Sequence, residues 1–280
     1  MILTNDVALL SLIPIFIMIV KKVKDFPEII WSVVLLIIAA NLGSVLLPFG
    51  NPQNLFLFAY YHLSIVTFLR WLLPLSFISL VLLFVLTLKI PLKELTLANI
   101  SETQTINKKA VIVPVFLFIA MVLTVLKLIP YFIVVPLLCI VLLFFDRTAF
   151  RKIDYRLLLT FVFFFLIVGN LMSISLMKHF LPQLLTRPLS SLIGSAIVSQ
   201  LISNVPAAIL IAPFSAHAHA VLLGVNIGGI GTLIASVANL IGFRIFSLYF
   251  PNLKAAFWKT FSWINGFLLA ILLLVFSLLV

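Results

Sequence analysis

The stretch from Ser190 to Gly242, SSLIGSAIVSQLISNVPAAILIAPFSAHAHAVLLGVNIGGIGTLIASVANLIG, decides the fold of this chain. No Asp, Glu, Lys or Arg occurs between Arg187 and Arg244, so the whole segment can enter a lipid bilayer. It is nevertheless interrupted twice, by polar residues at 203–206 and by a run rich in Gly, Ser and Thr at 226–239. Inside a membrane such breaks are tolerated only where they line a cavity enclosed by protein. The segment therefore predicts a binding site at membrane depth.

The composition predicts an all-α polytopic membrane protein. The chain is 64% hydrophobic and only 9% charged, which leaves too little polar surface for a soluble globule. Its net charge of +11 comes from cations in short loops beside apolar spans. That pattern is typical of membrane orientation, so we expect the lipid bilayer as a partner and no nucleic acid. The single cysteine, Cys139, excludes a disulfide framework and a cysteine-based metal site.

The polar stretch at 89–109 divides the chain into two parts. We predict a first transport repeat at 1–88, a cytoplasmic linker loop at 89–109, and a second transport repeat with scaffold helices at 110–280. The first apolar run, 7–20, spans roughly 21 Å as a helix, which is too short for a hydrocarbon core of roughly 30 Å. We therefore interpret it as one arm of a re-entrant hairpin.

An internal repeat relates the two parts. At an offset of 199 residues, Asn5 matches Asn204 and Pro14 matches Pro213; at an offset of 185, Asn41 matches Asn226 and Asn54 matches Asn239. Both blocks are free of gaps and occur in the same order. Chance similarity between apolar segments is the alternative, but matches at Asn, Gly and Pro argue against it. Each repeat then consists of a polar hairpin tip followed by an interrupted helix.

Loop charge predicts opposite orientations for the two repeats. If the loops at 21–28, 89–109, 146–156 and 243–259 are cytoplasmic, 14 of the 18 Lys and Arg residues lie inside. This arrangement obeys the positive-inside rule. It opens the first hairpin to the cytoplasm and the second to the outside. Inverted repeats with discontinuous transmembrane helices are the architecture of secondary transporters.

The sequence resembles the ion transporter superfamily, which groups citrate and dicarboxylate permeases, arsenite pumps and certain sodium/proton antiporters. Four motifs carry the resemblance: LTNDVALL (3–10), GNPQN (50–54), SNVPA (203–207) and GTLIASVAN (231–239). The resemblance covers nearly the whole chain and implies a transporter with two re-entrant hairpins. It does not define the substrate.

The chain departs from the superfamily pattern at its start. Members normally carry several helices before the first hairpin, and that hairpin has two arms. Here the descending arm and everything before it are missing, because the sequence begins at the hairpin tip. We therefore expect an N-terminally truncated or split protein.

The polar residues of the tips and breaks are the predicted substrate and ion site. Asn204 followed by Pro206 is typical of a helix N-cap with Pro in the first turn. Asp6 is the only carboxylate expected within the membrane core, and we interpret it as a proton or sodium site; proximity to water beside a frayed terminus is the alternative. Plain helix capping without a ligand is the alternative for the tips. The predicted site comprises Thr4, Asn5, Asp6, Gly50, Asn51, Asn54, Ser203, Asn204, Gly231, Thr232, Ser236 and Asn239.

These residues predict a secondary active transporter of small anions, such as a citrate-like carboxylate or an arsenite-like oxyanion, coupled to sodium or protons. The alternatives are a sodium/proton antiporter of the same superfamily and a truncated, nonfunctional fragment. We predict no enzymatic activity, no metal site and no cofactor other than the coupling ion. His217 and His219 point to different faces of a helix, which disfavours a shared metal. We expect a multi-pass protein of the bacterial plasma membrane, with a homodimer as the candidate assembly.

Overall fold

Apolar helices of unequal length make up the protein. The computed structural model describes residues 4–23, 26–91, 108–126, 128–145, 147–153 and 155–280. These residues form helices and turns without a strand, which confirms the all-α fold. Within them, only Ile65–Thr87 and Pro251–Ser277 are long and apolar enough to cross a membrane unaided. The shorter apolar helices include those that flank the interrupted segments.

The chain divides into two compact units, residues 1–96 with 164–280 and residues 97–163. The predicted division at 89–109 stays a prediction, because residues 92–107 lie outside the described part of the chain. The helices of the first unit are α1 (Asn5–Val20), α2 (Ile29–Gly43), α3 (Pro52–Tyr60), α4 (Ile65–Thr87), and, after the second unit, α9 (Ser175–Leu184), α10 (Pro188–Ile202), α11 (Asn204–Ile211), α12 (Ala218–Gly228), α13 (Val237–Tyr249) and α14 (Lys254–Ser277). Short 3₁₀ turns at Pro48–Gly50, Ala212–Phe214 and Pro251–Leu253 join some of them.

The second unit is a helical hairpin with a short helix after it. It contains α5 (Lys108–Val125), α6 (Tyr131–Phe145) and α7 (Ala149–Lys152), and α8 (Tyr155–Leu171) begins within it. The chain reverses between α5 and α6, where Leu128 N donates to Leu123 O at 3.0 Å. None of the predicted site residues belongs to this unit.

Four helices of the first unit correspond in order to the four at its end. At the offsets predicted from the sequence, α1 matches α11, α2 matches α12, α3 matches α13 and α4 matches α14. The helix α10, which leads into α11, has no counterpart before α1 in the described chain. The opposite orientation of the two sets in a membrane stays a prediction.

Close packing between α10 and α12 depends on glycine. A Cβ on Gly224 would lie against the carbonyl oxygen of Leu192 and 2.7 Å from Cβ of Ser195. A Cβ on Gly228 would lie 2.8 Å from Cα of Ala196. Glycines four residues apart share one helix face, so the two backbones touch along it. Small residues at this spacing are typical of helix contacts in membranes.

Helices α1 and α11 begin one residue earlier than the sequence suggests. Their N-caps are Thr4 and Ser203, while Asn5 and Asn204 are the first helical residues. Neither cap residue forms a side-chain cap hydrogen bond. The predicted N-cap role of Asn204 is therefore wrong. Both asparagine side chains make tertiary contacts instead: Asn5 with Asn41, and Asn204 with Gly229.

Candidate functional site

The two helix starts at Asn5 and Asn204 lie against the interrupted segments. Asn5 Nδ2 donates to Asn41 Oδ1 at 3.2 Å, at the last turn of α2. Asn204 donates its backbone N–H to the carbonyl of Ala235 at 2.9 Å. Its side-chain nitrogen lies so close to Gly229 that a Cβ there would be 2.7 Å away. Each tip is thus held by the break that follows it in its own repeat.

Two asparagine pairs cross between the repeats. Asn41 Nδ2 donates to Asn239 Oδ1 at 2.7 Å, and Asn226 Nδ2 donates to Asn54 Oδ1 at 2.7 Å. The offset of 185 residues exchanges the two bonds, because it places Asn41 on Asn226 and Asn54 on Asn239. All four side chains are at most 4% exposed. Buried amides are stable only when they are paired, so each repeat completes the other.

The same symmetry extends to the neighbouring bonds of these amides. The second N–H of Asn41 reaches the carbonyl of Ile37 at 3.3 Å, and that of Asn226 reaches the carbonyl of Leu222 at 2.8 Å. Ser236 Oγ adds a hydrogen bond of 3.0 Å to Asn41 Oδ1. The breaks are therefore ordered by side chains that replace the missing helical partners.

The break in the first repeat, at 44–51, is held together by Ser44. Its hydroxyl lies 2.7 Å from Asn51 Oδ1 and 2.8 Å from the carbonyl of Asn41. The backbone of Gly50 packs against the carbonyl oxygen of Ser44, so a Cβ at position 50 would clash with that oxygen. Asn54 Nδ2 donates to the carbonyl of Val45 at 3.0 Å. Gly50, Asn51 and Asn54 are thus buried structural members of the site.

The break in the second repeat, at 229–236 and called the second break below, is held by Gln200. This residue was not predicted from the sequence. Gln200 Nε2 donates to the carbonyls of Gly228 at 2.7 Å and Ile230 at 3.1 Å. Its Oε1 accepts from the backbone N–H of Thr232 at 2.8 Å. Gly231 lies between them with φ of +115°, a left-handed conformation that favours glycine. Gln200 therefore shapes the backbone that carries Gly231 and Thr232.

Asn239, which follows this break, stabilises the backbone of the break. Its Nδ2 donates to the carbonyls of Gly229 at 3.0 Å and Thr232 at 2.9 Å. Together with the bond from Asn41, all hydrogen-bonding directions of this amide but one are engaged. Asn239 thus links the second break to α2.

Asp6 differs from the other predicted site residues because it has a buried side-chain oxygen without a hydrogen-bond partner in the described chain. Its Oδ1 is buried and has no hydrogen-bond partner within the described chain. The residue matched to it in the second repeat is Val205, which is apolar and buried. Only one of the two tips therefore offers a carboxylate oxygen to a cation or proton.

Helix ends of both kinds meet at this network. Helices α1, α3, α11 and α13 begin there, at N-caps Thr4, Asn51, Ser203 and Ser236. Helices α2 and α12 end there. Helix N-termini present free N–H groups and a positive dipole end, and C-termini present carbonyls and a negative end. The site can thus stabilise an anion beside a cation without a Lys or Arg among its residues.

The helices break where the sequence predicts, but several residues that hold the breaks in place were not predicted. Asn41, Asn226, Ser44 and Gln200 all form buried or half-buried hydrogen bonds in the site. The repeat alignment marked Asn41 and Asn226 as matched positions. Their position at the ends of apolar runs was a further signal in the sequence, because an amide buried there requires a partner.

A tyrosine fastens the first repeat to the turn before α12. Tyr61, which follows α3, directs its hydroxyl to the carbonyls of Ser215 at 2.9 Å and Ala212 at 3.2 Å. Burial, with Tyr60 beside it, raises the pKa of the Tyr61 phenol, so the hydroxyl stays protonated as a donor. This contact lies away from the asparagine network and adds a second link between the repeats.

Comparison with known proteins identifies the family. The citrate transporter family (CitMHS) matches residues 1–223. The uncharacterized transporter MJ0456 of Methanocaldococcus jannaschii is 33% identical over 245 residues, which cover 87% of this chain and 66% of the relative. The inner membrane protein YbiR of Escherichia coli is 30% identical over 245 residues, covering 87% and 65%. The chain thus spans just under two thirds of the length of these relatives. The resemblance to ion transporters is confirmed, and the chain belongs to the citrate transporter family.

Proposed function

We propose that the chain forms the substrate-binding part of a secondary active transporter for small anions, coupled to sodium or protons. The crossed asparagine pairs carry this proposal, because they bring the four helix starts into one buried polar site between apolar helices. Polar residues at membrane depth are rare and by default mark a substrate or ion pathway, which supports the proposal. Membership of a transporter family argues against an enzyme.

The chemistry of the site favours an anion held by neutral donors. Backbone N–H groups at helix starts bind carboxylates and oxyanions, and the positive dipole ends add to the attraction. The side-chain amide of Asn204 can add a further donor, whereas the Thr232 hydroxyl already donates to the carbonyl of Gln200 at 3.1 Å. A carboxylate such as citrate, arsenite and an inorganic oxyanion all satisfy this chemistry, so the transport assay must compare them.

We propose the same site for the coupling cation. Carbonyls at the ends of α2 and α12 and the unpaired carboxylate oxygen of Asp6 offer the oxygen ligands that sodium requires. Protonation of Asp6 is the other form of coupling. A cation bound there would neutralise part of the anion's charge, so each ion would raise the affinity for the other.

Reconstituted transport tests this proposal. The purified chain in liposomes should accumulate radiolabelled citrate or arsenite when an inward sodium or proton gradient is imposed, and collapse of the gradient should abolish uptake. Asn252→Ala, an exposed substitution, is the control for expression and reconstitution. The proposal fails if the folded chain neither transports these anions nor is thermally stabilised by them.

A sodium/proton antiporter is the second candidate, and the unpaired Asp6 oxygen favours it. Antiport requires no anion. A rise in the lumenal pH of anion-free liposomes under an inward sodium gradient, measured with a pH-sensitive dye, would support this candidate. A requirement for citrate or arsenite would exclude it.

The apolar helices and the family support an integral membrane protein. We propose the plasma membrane of a bacterial cell as its location, with the lipid bilayer as a partner and a homodimer as its assembly. Cross-linking of the purified protein in lipid nanodiscs, followed by mass measurement, tests the assembly.

A further inference from the structure

The breaks of the two repeats differ in how many of their carbonyls accept hydrogen bonds from side-chain amides. The break at 44–51, called the first break below, has one such bond, from Asn54 to the carbonyl of Val45. In and beside the second break, side-chain amides donate to four carbonyls, those of Gly228, Gly229, Ile230 and Thr232. These bonds occupy oxygen atoms that a cation would otherwise use as ligands.

Proline produces the opposite difference in hydrogen-bond donors. Pro48 lies in the first break and Pro52 is the first residue of α3, and neither has an N–H group. At the offset of 185 residues they match Leu233 and Val237, whose N–H groups make no hydrogen bond within the described chain. The second repeat thus has free donors at two positions where the first repeat has none. Because Pro206 removes one N–H from the tip of the second repeat, these extra donors belong to its break and not to its tip.

Gln200 holds the second break in this form. Its Nε2 carries two hydrogens but lies within hydrogen-bond distance of three carbonyls: Gly228 at 2.7 Å, Ile230 at 3.1 Å and Ala196 of its own helix at 3.2 Å. Its Oε1 accepts from the N–H of Thr232 at 2.8 Å. A side chain without an amide cannot satisfy both kinds of backbone group, so the break would rearrange and its carbonyls would seek other partners.

The two helix starts differ in the same sense as the breaks. Asp6, in the first turn of α1, has a buried carboxylate oxygen without a partner within the described chain. The matched residue in α11 is Val205, which offers no side-chain oxygen. The first repeat therefore favours a cation, and the second repeat favours an anion.

We propose that the second break binds the anion, that the first break together with Asp6 binds the coupling cation, and that Gln200 is the positioning residue that sets this division. The inference rests on the function proposed above and divides its site between the two repeats. Gln200 acts through the backbone that it holds. The repeats are then equivalent in the order of their helices but not in the ion that each binds.

Thermal unfolding of the full chain in detergent tests this division. Gln200→Met keeps the length of the side chain but removes its donors and its acceptor. We expect the concentration of citrate or arsenite needed for half-maximal stabilisation to rise on the order of tenfold, because anion binding loses the equivalent of about one hydrogen bond. The response to sodium and to pH, measured without either anion, should stay that of the wild type. Gln183→Met, at an exposed position of α9, is the matched control.

Asp6→Asn should show the other half of the pattern, because it should lose the response to sodium or pH in the absence of an anion. Loss of both responses in Gln200→Met would indicate a general structural role and would overturn the inference. Anion binding as tight as that of the wild type in Gln200→Met would overturn it too, as would a sodium and pH response that survives in Asp6→Asn. A wild-type chain that neither citrate nor arsenite stabilises would instead refute the proposed function, and the inference with it.

A second variant applies if Gln200→Met does not give a monodisperse protein. Gln200→Asn adds no bulk and keeps the amide, but its side chain is one methylene shorter and cannot reach the carbonyl of Ile230 and the N–H of Thr232 together. The same loss of anion affinity is expected, with the sodium and pH response retained. Anion affinity equal to that of the wild type would contradict the role of Gln200.

Discussion

At the scale of single residues, Asn239 makes three buried side-chain hydrogen bonds whose loss can be measured. Asn239→Ala removes the acceptor for Asn41 and both donors to the second break, leaving buried groups unpaired. Each unpaired group costs about 1–3 kcal/mol, so we expect a loss of several kcal/mol in unfolding free energy. Unfolding in detergent by SDS titration measures it. Asn252→Ala, at an exposed position, should change the free energy by less than about 0.5 kcal/mol; a similar loss in both variants would contradict the bonding described here.

The cross-repeat bond can be separated from general damage by a double-mutant cycle. Asn41→Ala and Asn239→Ala should show a coupling of about 0.5–3 kcal/mol, because the two side chains share one hydrogen bond. Asn41→Ala combined with Asn252→Ala should be additive. Additive effects in the first pair would show that the 2.7 Å contact does not contribute to stability.

Asp6 carries the prediction about coupling. Asp6→Asn keeps the size of the side chain but removes its charge, so uptake should lose its dependence on the sodium or proton gradient. Flux measured across a series of sodium concentrations and pH values tests this. Glu28→Gln is a matched control, since Glu28 is the other acidic residue in the described chain. Unchanged sodium and pH dependence in Asp6→Asn would reject the assigned role.

At the scale of helices, replacing glycine by alanine should change stability in opposite directions at two positions. Gly228→Ala should destabilise the protein, because the new Cβ would meet Cα of Ala196 and the α10–α12 contact would have to open. Gly266→Ala on α14 has no atom within 4 Å of the new Cβ and should stabilise by up to about 1 kcal/mol, since alanine favours helix. Thermal unfolding of both variants in one detergent checks the signs. A stabilising Gly228→Ala would show that this helix contact is looser than described.

Helix boundaries show where local sequence was sufficient and where it was not. The sequence predicts breaks at 41–54 and 226–239, because runs of Gly, Pro and Asn do not continue a helix, and the structure places them within these bounds, at 44–51 and 229–236. The N-caps were not predicted correctly, because a local rule favours Asn204 as the cap, whereas its backbone N–H bonds to the carbonyl of Ala235 and its side chain packs against Gly229. Gln200 was missed for the same reason: on an apolar helix it has no local pattern that identifies its distant partners.

At the scale of the whole molecule, the internal repeat supplied most of what could be predicted. It aligned Asn41 with Asn226 and Asn54 with Asn239, but alignment cannot say which asparagine bonds to which. The structure shows that the bonds connect unlike positions of opposite repeats. That pairing depends on how helices distant in sequence pack, and no motif encodes it.

The predicted membrane topology can be checked on the first compact unit. With Cys139→Ser as background, Lys178→Cys should react with a membrane-impermeant maleimide added to intact cells. Lys259→Cys should react only after the membrane is opened, because positive-inside loops place it in the cytoplasm. Both side chains are exposed, so burial does not limit the reaction. The reverse pattern would invert the predicted orientation.

The crossed asparagine pairs also constrain how this protein can change over evolutionary time. A duplicated gene normally frees each copy to diverge, but here every interrupted segment depends on an amide supplied by the other half. A substitution at position 41 leaves position 239 without its donor, and the same holds for positions 226 and 54. Substitutions at these four positions should therefore persist only as matched pairs, with one change in each half.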